Sequence, residues 1–197
     1  MRQQQRNLWG DITDMTQDMA DLIVHLARLA QNTARTDLTA AQWTALRFFA
    51  RANRFSRTPS AFSEFHATTR GTASQTVKSL VTLGLLQRQN NAADARSTLI
   101  EVTPAGHEML CRDPLGDLRR VLSELPEDVQ RTLSVTLQRA TMNLATLRQV
   151  PTFGTCADCS HCKEGTDTAY CHCTESMLTR PEMASFCIDF QPAGRAD

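Results

Sequence analysis

The chain has 197 residues, with 21 basic side chains against 21 acidic ones, so its formal net charge is zero. An apolar content of 41% is enough to build a core and excludes general disorder. No run approaches the roughly 20 apolar residues of a membrane span, and the opening MRQQQRNLWGD lacks the apolar stretch of a secretory signal; a cytoplasmic protein with no membrane partner is expected.

The zero is an average over two unlike parts. Residues 1–150 carry 18 basic and 14 acidic side chains, whereas residues 151–197 carry 3 and 7. Six of the seven cysteines lie between Cys156 and Cys187, with Cys111 alone outside. Charge and cysteine content therefore predict two modules, 1–150 and 151–197.

From Asp11 to about Arg35 the apolar residues Ile12, Met15, Met19, Leu22, Ile23, Leu26 and Leu29 fall mostly at steps of three and four, which predicts a helix with one apolar face. Thr39 and Gln42 form a Thr-x-x-Gln capping box that opens a second helix, with Trp43, Leu46 and Phe49 on its inner side. A short helix over about Ser60–Phe65, a polar turn at His66–Thr68 and a helix capped by Thr69 and closed near Gly84 come next. In that last helix Ala73, Val77, Leu80 and Val81 share the inner face, while Arg70, Thr72, Ser74, Gln75 and Lys78 share the outer one. Two helices at a sharp turn, the second with small polar residues outward, predict a helix-turn-helix whose second helix enters the DNA major groove.

Leu85–Gln89 and Thr98–Val102 read as two short strands in the position of a wing, with Arg88 and Arg96 on it. From Ala40 to Ile100 eight basic residues stand against Glu64 and Asp94, a net of +6 suited to phosphate. Thr103-Pro104 opens another helix, read as running through about Leu110 and onward. Pro126 opens the last one, where Leu133, Leu137, Ala140, Leu144 and Leu147 repeat at 4-3-4-3. That seam fits either a partner's helix or the chain's own first helix.

Four blocks in this order and spacing, LTAAQWTAL (Leu38–Leu46), TRGTASQTVKSLVTLGLLQRQ (Thr69–Gln89), DAR (Asp94–Arg96) and EVTPAGHEML (Glu101–Leu110), resemble the MarR family of bacterial winged-helix transcriptional regulators. The resemblance covers about residues 10–148. It implies an obligate homodimer whose terminal helices interlock, bound to pseudo-palindromic double-stranded DNA, usually as a repressor. By that likeness Arg70, Thr72, Ser74, Gln75 and Lys78 face bases and phosphates, Arg88 lies on the wing, and Arg96 reaches the minor groove steadied by Asp94. One departure is SAFSEFHATT, where Phe62, Glu64 and Phe65 replace the smaller residues usual in the helix before the recognition helix.

Pro151–Gly154 reads as a hinge into the tail. There the pattern is Cys156-x2-Cys159-x2-Cys162-x8-Cys171-x1-Cys173-x13-Cys187. In a reducing compartment such density predicts metal ligands rather than disulfides. Four thiolates suit zinc, [2Fe–2S] or [4Fe–4S]. The favoured set is Cys156, Cys159, Cys171 and Cys187, because the close at Cys187–Pro192 resembles small four-cysteine iron–sulfur modules. The alternates are Cys162, in a ferredoxin-like Cys-x2-Cys-x2-Cys run, and Cys173. An iron–sulfur cluster would make the protein a redox, iron or reactive-species sensor; zinc would staple the tail. His161 and His172 are read as neighbours of ligands, and Cys111 as an ordinary small apolar residue.

The expected fold is thus mainly α with a small β-wing: a winged helix-turn-helix, homodimeric through its N- and C-terminal helices, with a Cys-rich metal-bound tail. The alternative function is a regulator that senses a small aromatic ligand near Trp43, Phe48, Phe49 and Phe65, with zinc in the tail. No Gly-rich phosphate loop, Ser/His/Asp grouping or suitably spaced acid pair speaks for an enzyme.

Overall fold

The structure is a computed structural model that describes residues 8–31, 38–90, 98–165 and 168–193. Its first part is helical: α1 (Leu8–Gln31), α2 (Ala40–Arg51), α3 (Pro59–Phe65) and α4 (Arg70–Thr82) precede the strands β1 (Leu86–Asn90) and β2 (Thr98–Val102). Then come α5 (Pro104–Leu110), α6 (Leu115–Ser123) and α7 (Glu127–Arg148). No described helix is long and apolar enough to cross a membrane.

Local chemistry sets these boundaries. Thr39 and Gln42 make the reciprocal capping box that opens α2. Thr58, Thr69 and Thr103 each accept an amide at the head of α3, α4 and α5, and Pro59 and Pro104 follow two of them. Gly84 ends α4 in the left-handed region, φ 71°, which a Cβ would disfavour. The core of this head joins α2, α3, α4 and the β1–β2 ribbon around Trp43, Leu46, Phe48, Phe49, Phe62, Val77, Leu80, Leu86 and Ile100, all buried. Fully burying each large apolar side chain contributes on the order of 1.5–3 kcal/mol.

The long terminal helices behave differently. Leu22 on α1 and Leu147 on α7 are 64% and 81% exposed, and Leu137 and Leu144 also face outward. Among the described residues, the chain's own first helix therefore leaves Leu137, Leu144 and Leu147 of the α7 seam uncovered.

The tail is β-rich. β3 (Gly154–Thr155) pairs antiparallel with β7 (Phe186–Cys187), and β4 (Cys162–Glu164), β5 (Thr168–Cys171) and β6 (Ser176–Thr179) form an antiparallel meander followed by the short α8 (Arg180–Met183).

The hinge expected at Pro151–Gly154 is not one. Phe153 packs edge-on against Phe65, centroids 5.2 Å apart, and against Phe48 at 6.3 Å. Gly154 lies under the Phe190 ring, so close that a Cβ would fall 2.7 Å from Phe190 Cε1. The glycine serves close approach, not bending. Gly154→Ala should loosen the tail by about 1–3 kcal/mol through overpacking. Hydrogen exchange would show the loss in the tail amides and spare those of α2–α4; equal loosening in both, or none, would contradict the packing.

The tail then sits on the head. Phe153 and Ile188 pack against the head core, and Phe186 meets Phe65 at 5.7 Å. Arg51 stacks over Phe186, 4.1 Å from the centroid. Asn53 N–H donates to the Phe186 carbonyl (2.8 Å), Ile188 N–H to Ser56 Oγ (2.9 Å), and Arg54 to the Met177 carbonyl (2.9 Å) and to Glu182. Phe65, unusual for this position in the sequence reading, is what receives the tail.

Candidate functional site

The polar face of α4 is built by its apolar one. Ala73, Val77 and Leu80 are fully buried, which fixes the rotation of the helix. Arg70, Thr72, Ser74, Gln75 and Lys78 are consequently all exposed. The Thr72 amide donates to Thr69 Oγ1 (3.1 Å), and the two hydroxyls share a 2.9 Å hydrogen bond, so the first turn is held rigid. Arg88 is exposed on β1. Asp94 and Arg96 lie outside the described residues.

The basic surplus is distributed otherwise than expected. Arg47 is bound to Asp113, Arg54 to Glu182 and Met177, and Arg57 to the Ala52 carbonyl, while Arg51 covers Phe186. These four serve intramolecular packing. Among the described residues, the cationic groups left on the reading face are Arg70, Lys78 and Arg88. Burial works against the Glu182 carboxylate, but hydrogen bonds from Thr179 and Arg54 outweigh it and hold this carboxyl below its usual value.

In the tail the β3–β7 register sets Gly154 opposite Cys187 and brings Cys156 beside it. Cys156, Cys159, Cys171 and Cys187 are buried, Cys162 is half-buried and Cys173 is exposed. Cys162 is the cross-strand neighbour of Cys171. A hydrogen bond from Cys156, then bonds from Asn53 and the Asp189 amide, pull the Cys187 thiol down to about 6 against the opposing effect of burial. The same bond to Cys187, together with burial, pushes Cys156 up. The Gln191 amide points at Cys159 Sγ (3.5 Å) and the Asn53 side-chain amide at Cys156 Sγ (3.9 Å).

Soft sulfurs met by N–H groups in a dry place are the kind of donor that a thiophilic ion or cluster takes. Among the described residues no three His, Cys, Asp or Glu side chains are drawn together in an ion-holding arrangement. His161 and His172 are linked through their backbones, His172 N–H to the His161 carbonyl (2.9 Å), and the His172 ring stands against Tyr170. Cys111 is exposed at the end of α5 rather than apolar filling, with its Sγ near the His107 carbonyl.

Residues 36–97, from before α2 to just before β2, match the family model described as MarR family. Among solved structures the chain is similar to a MarR transcriptional regulator from Methanosarcina mazei Go1, at 18% identity and a TM-score of 0.55, over 66% of this chain and 99% of that one. It is similar to the transcriptional regulator SlyA at 20% identity and a TM-score of 0.51, over 68% and 95%. S. aureus MepR, solved as a DNA complex, is similar at 20% identity and 0.51, over 64% and 95%. The head has the MarR fold. A comparison with curated proteins gives no match.

Within that MarR-type frame, one feature escaped the sequence and a second was legible only in part. The helix read as continuing past Leu110 ends there, with Cys111 as its C-cap, and α6 starts after Pro114; between them Asp113 is buried and accepts two hydrogen bonds from Arg47 Nε and Nη2, a third from Arg119 and a fourth from the Leu115 amide. Burial opposes its ionisation, yet these donors hold its carboxyl below the usual value.

The second feature is a cavity of about 450 Å³ between α2, α3, α5, α6 and the tail, walled by Phe48, Phe65 and Phe186 and edged by Arg47, Arg51 and Arg119. Partial burial and the charge of Arg119 lower the Arg51 pKa. Of the aromatic residues expected around a ligand, Phe48 and Phe65 border this cavity, whereas Trp43 and Phe49 are core.

Proposed function

We propose that the protein is a sequence-specific, DNA-binding transcriptional regulator, acting as a homodimeric repressor on a pseudo-palindromic operator. Its DNA affinity is set by a thiolate-held centre in the tail, an iron–sulfur cluster or, alternatively, zinc. The observation that carries the DNA reading is the outward face of α4, where five hydrogen-bonding side chains stand on one rigidly capped helix. Dimerisation is supported by the uncovered apolar faces of α1 and α7, and would set two such helices about one DNA turn, roughly 34 Å, apart. Arg70 and Lys78 would meet phosphates, and Gln75, with a donor and an acceptor on one amide, a base edge. Cys156, Cys159, Cys171 and Cys187 would hold the metal, which would supply cross-linking of the tail and, as a cluster, sensitivity to oxidation.

The test is anisotropy of a labelled operator against scrambled DNA over a salt series. Arg70→Ala or Lys78→Ala should weaken binding to all sequences and reduce the salt slope by about 1 each, while Gln75→Ala should cost about 1–3 kcal/mol at one base position. Affinity indifferent to both sequence and salt would end the proposal. Anaerobic purification with a visible spectrum and iron, sulfide and zinc analysis decides between cluster and zinc.

The arginine-edged cavity favours a second reading, control by a small aromatic anion. Its volume falls in the range of small-molecule sites. Aromatic carboxylates should then raise the melting temperature of the wild type and not of Arg51→Ala; no shift in either rejects this reading.

A further inference from the structure

The arginine-edged cavity is not made by the head alone. Most of its lining comes from α2, α3, α5 and α6, but one wall is Phe186, a residue of the tail that lies far beyond the family match at 36–97. Three contacts hold Phe186 there. Its carbonyl accepts from the Asn53 amide (2.8 Å), its ring lies against Phe65 with centroids 5.7 Å apart, and the Arg51 guanidinium stacks on it at 4.1 Å. Phe65 and Arg51 line the cavity as well. The side chains that dock the tail and the side chains that face the cavity are therefore partly the same.

The charge at this rim is unbalanced. Arg47 and Arg119 both bind Asp113, whereas among the described residues no carboxylate pairs with Arg51. Three guanidinium groups thus face the one acidic side chain of the lining. A guanidinium that stacks through its face keeps its N–H donors in its own plane, where a carboxylate can meet them edge-on.

We infer that the tail is part of the anion site: an aromatic carboxylate lies with its ring among Phe48, Phe65 and Phe186 and its charge on Arg51, and by touching both modules it clamps the tail to the head. The inference rests on the reading of this cavity as a small-aromatic-anion site and adds what that anion controls, the docking of the tail. A compound that needs Phe186 in place binds the docked form and not the undocked one, so it shifts the population toward docking in proportion to saturation. The coupling runs through aromatic and guanidinium contacts, not through the cysteines.

Benzoate is the probe, added to the full-length protein at constant ionic strength. The reporters are two amides whose bonds cross between the modules, Asn53 N–H on the Phe186 carbonyl and Ile188 N–H on Ser56 Oγ. With benzoate at about ten times its Kd, hydrogen exchange of both should slow by about ten-fold. Calorimetric titration should show benzoate binding weakened by about ten-fold or more in Phe186→Ala, which removes the wall. Phe186→Leu is the second variant: it keeps an apolar side chain against Phe65 and removes the ring on which Arg51 lies, and it should weaken binding by about three-fold. If Phe186→Ala releases the tail, seen as fast Ile188 exchange without benzoate, a parallel loss of benzoate binding is the same coupling read in reverse and supports the clamp.

Unchanged benzoate affinity in both variants overturns the clamp, as do docking amides in the wild type that ignore saturating benzoate. Either result leaves the anion site as a property of the head. A wild type that binds no benzoate overturns the site and the clamp together, so the two failures are distinguishable.

Discussion

Cys187→Ser should abolish metal retention and unfold the tail, while Cys173→Ser should leave both intact. The contrast follows from position. Cys187 is 4% exposed on β7, hydrogen-bonded to Cys156 and to amides around it, whereas Cys173 is exposed. Apart from its docking on the head, the tail has a small core of its own: its buried apolar residues beyond the cysteines are Ala169 and Leu178, with Met183, Phe190 and the head's Phe55 partly covering them. A structural metal contributes on the order of 10 kcal/mol to such a module, far more than two buried aliphatic side chains. With the metal proposed above in place, removal of one of the four buried cysteines costs most of the order in the tail's own small core, and the head keeps its own.

Metal content per chain and hydrogen exchange of residues 154–193 measure the two effects separately. Cys156→Ser, Cys159→Ser and Cys171→Ser should behave like Cys187→Ser, and Cys162→Ser like Cys173→Ser. Metal retained by Cys187→Ser and lost by Cys162→Ser would move the site to the Cys-x2-Cys-x2-Cys run. Metal absent from the wild type under anaerobic conditions would remove the centre altogether.

The helix-turn-helix was legible because its signals are local. Thr69 caps within three residues, Gly84 supplies a left-handed stop, and the inner positions Ala73, Val77 and Leu80 repeat at helical spacing. What the sequence withheld depends on partners far along the chain. Arg47, Arg51, Arg54 and Arg57 count as surface charge in any composition window, yet Arg47 answers to Asp113, 66 positions on, and Arg54 to Glu182, 128 positions on. Phe65 looked like a misfit in its helix because its partners, Phe153 and Phe186, belong to the tail. Proline and glycine at 151–154 signalled a hinge by composition alone, and composition carries no information on where the phenylalanine between them will pack. Burial sorts the six tail cysteines into four inside and two less covered, but spacing could only rank the sets.

Asp113→Asn should destabilise the protein by about 3 kcal/mol, several times more than Arg119→Ala, which should cost at most about 1 kcal/mol. The asymmetry lies in exposure. Asp113 has a side chain 3% exposed and Arg47 one 15% exposed, so neutralising the carboxylate strands a guanidinium with little access to water. Arg119 is 62% exposed and regains hydration when its partner goes. An amide oxygen in place of the carboxylate can still accept one bond from Arg47, but not the charge-assisted fork that now holds Nε and Nη2.

The pair also predicts a pH dependence. The folded-state pKa of Asp113 lies below the ordinary 3.8, so its contribution is fully present above about that value and is lost as pH falls through the folded-state pKa. Urea midpoints measured from pH 6 down to pH 3 should therefore show the gap between wild type and Asp113→Asn closing in acid, which cancels the carboxylates common to both chains. A gap constant over that range would mean that Asp113 acts through shape at the α5–α6 break and not through charge. Because Arg47, Asp113 and Arg119 border the same cavity as Phe186, the substitution should also loosen the cavity wall formed by α6. An aromatic anion that stabilises the wild type should then stabilise Asp113→Asn at least as strongly, since it supplies the negative charge that Arg47 and Arg119 have lost.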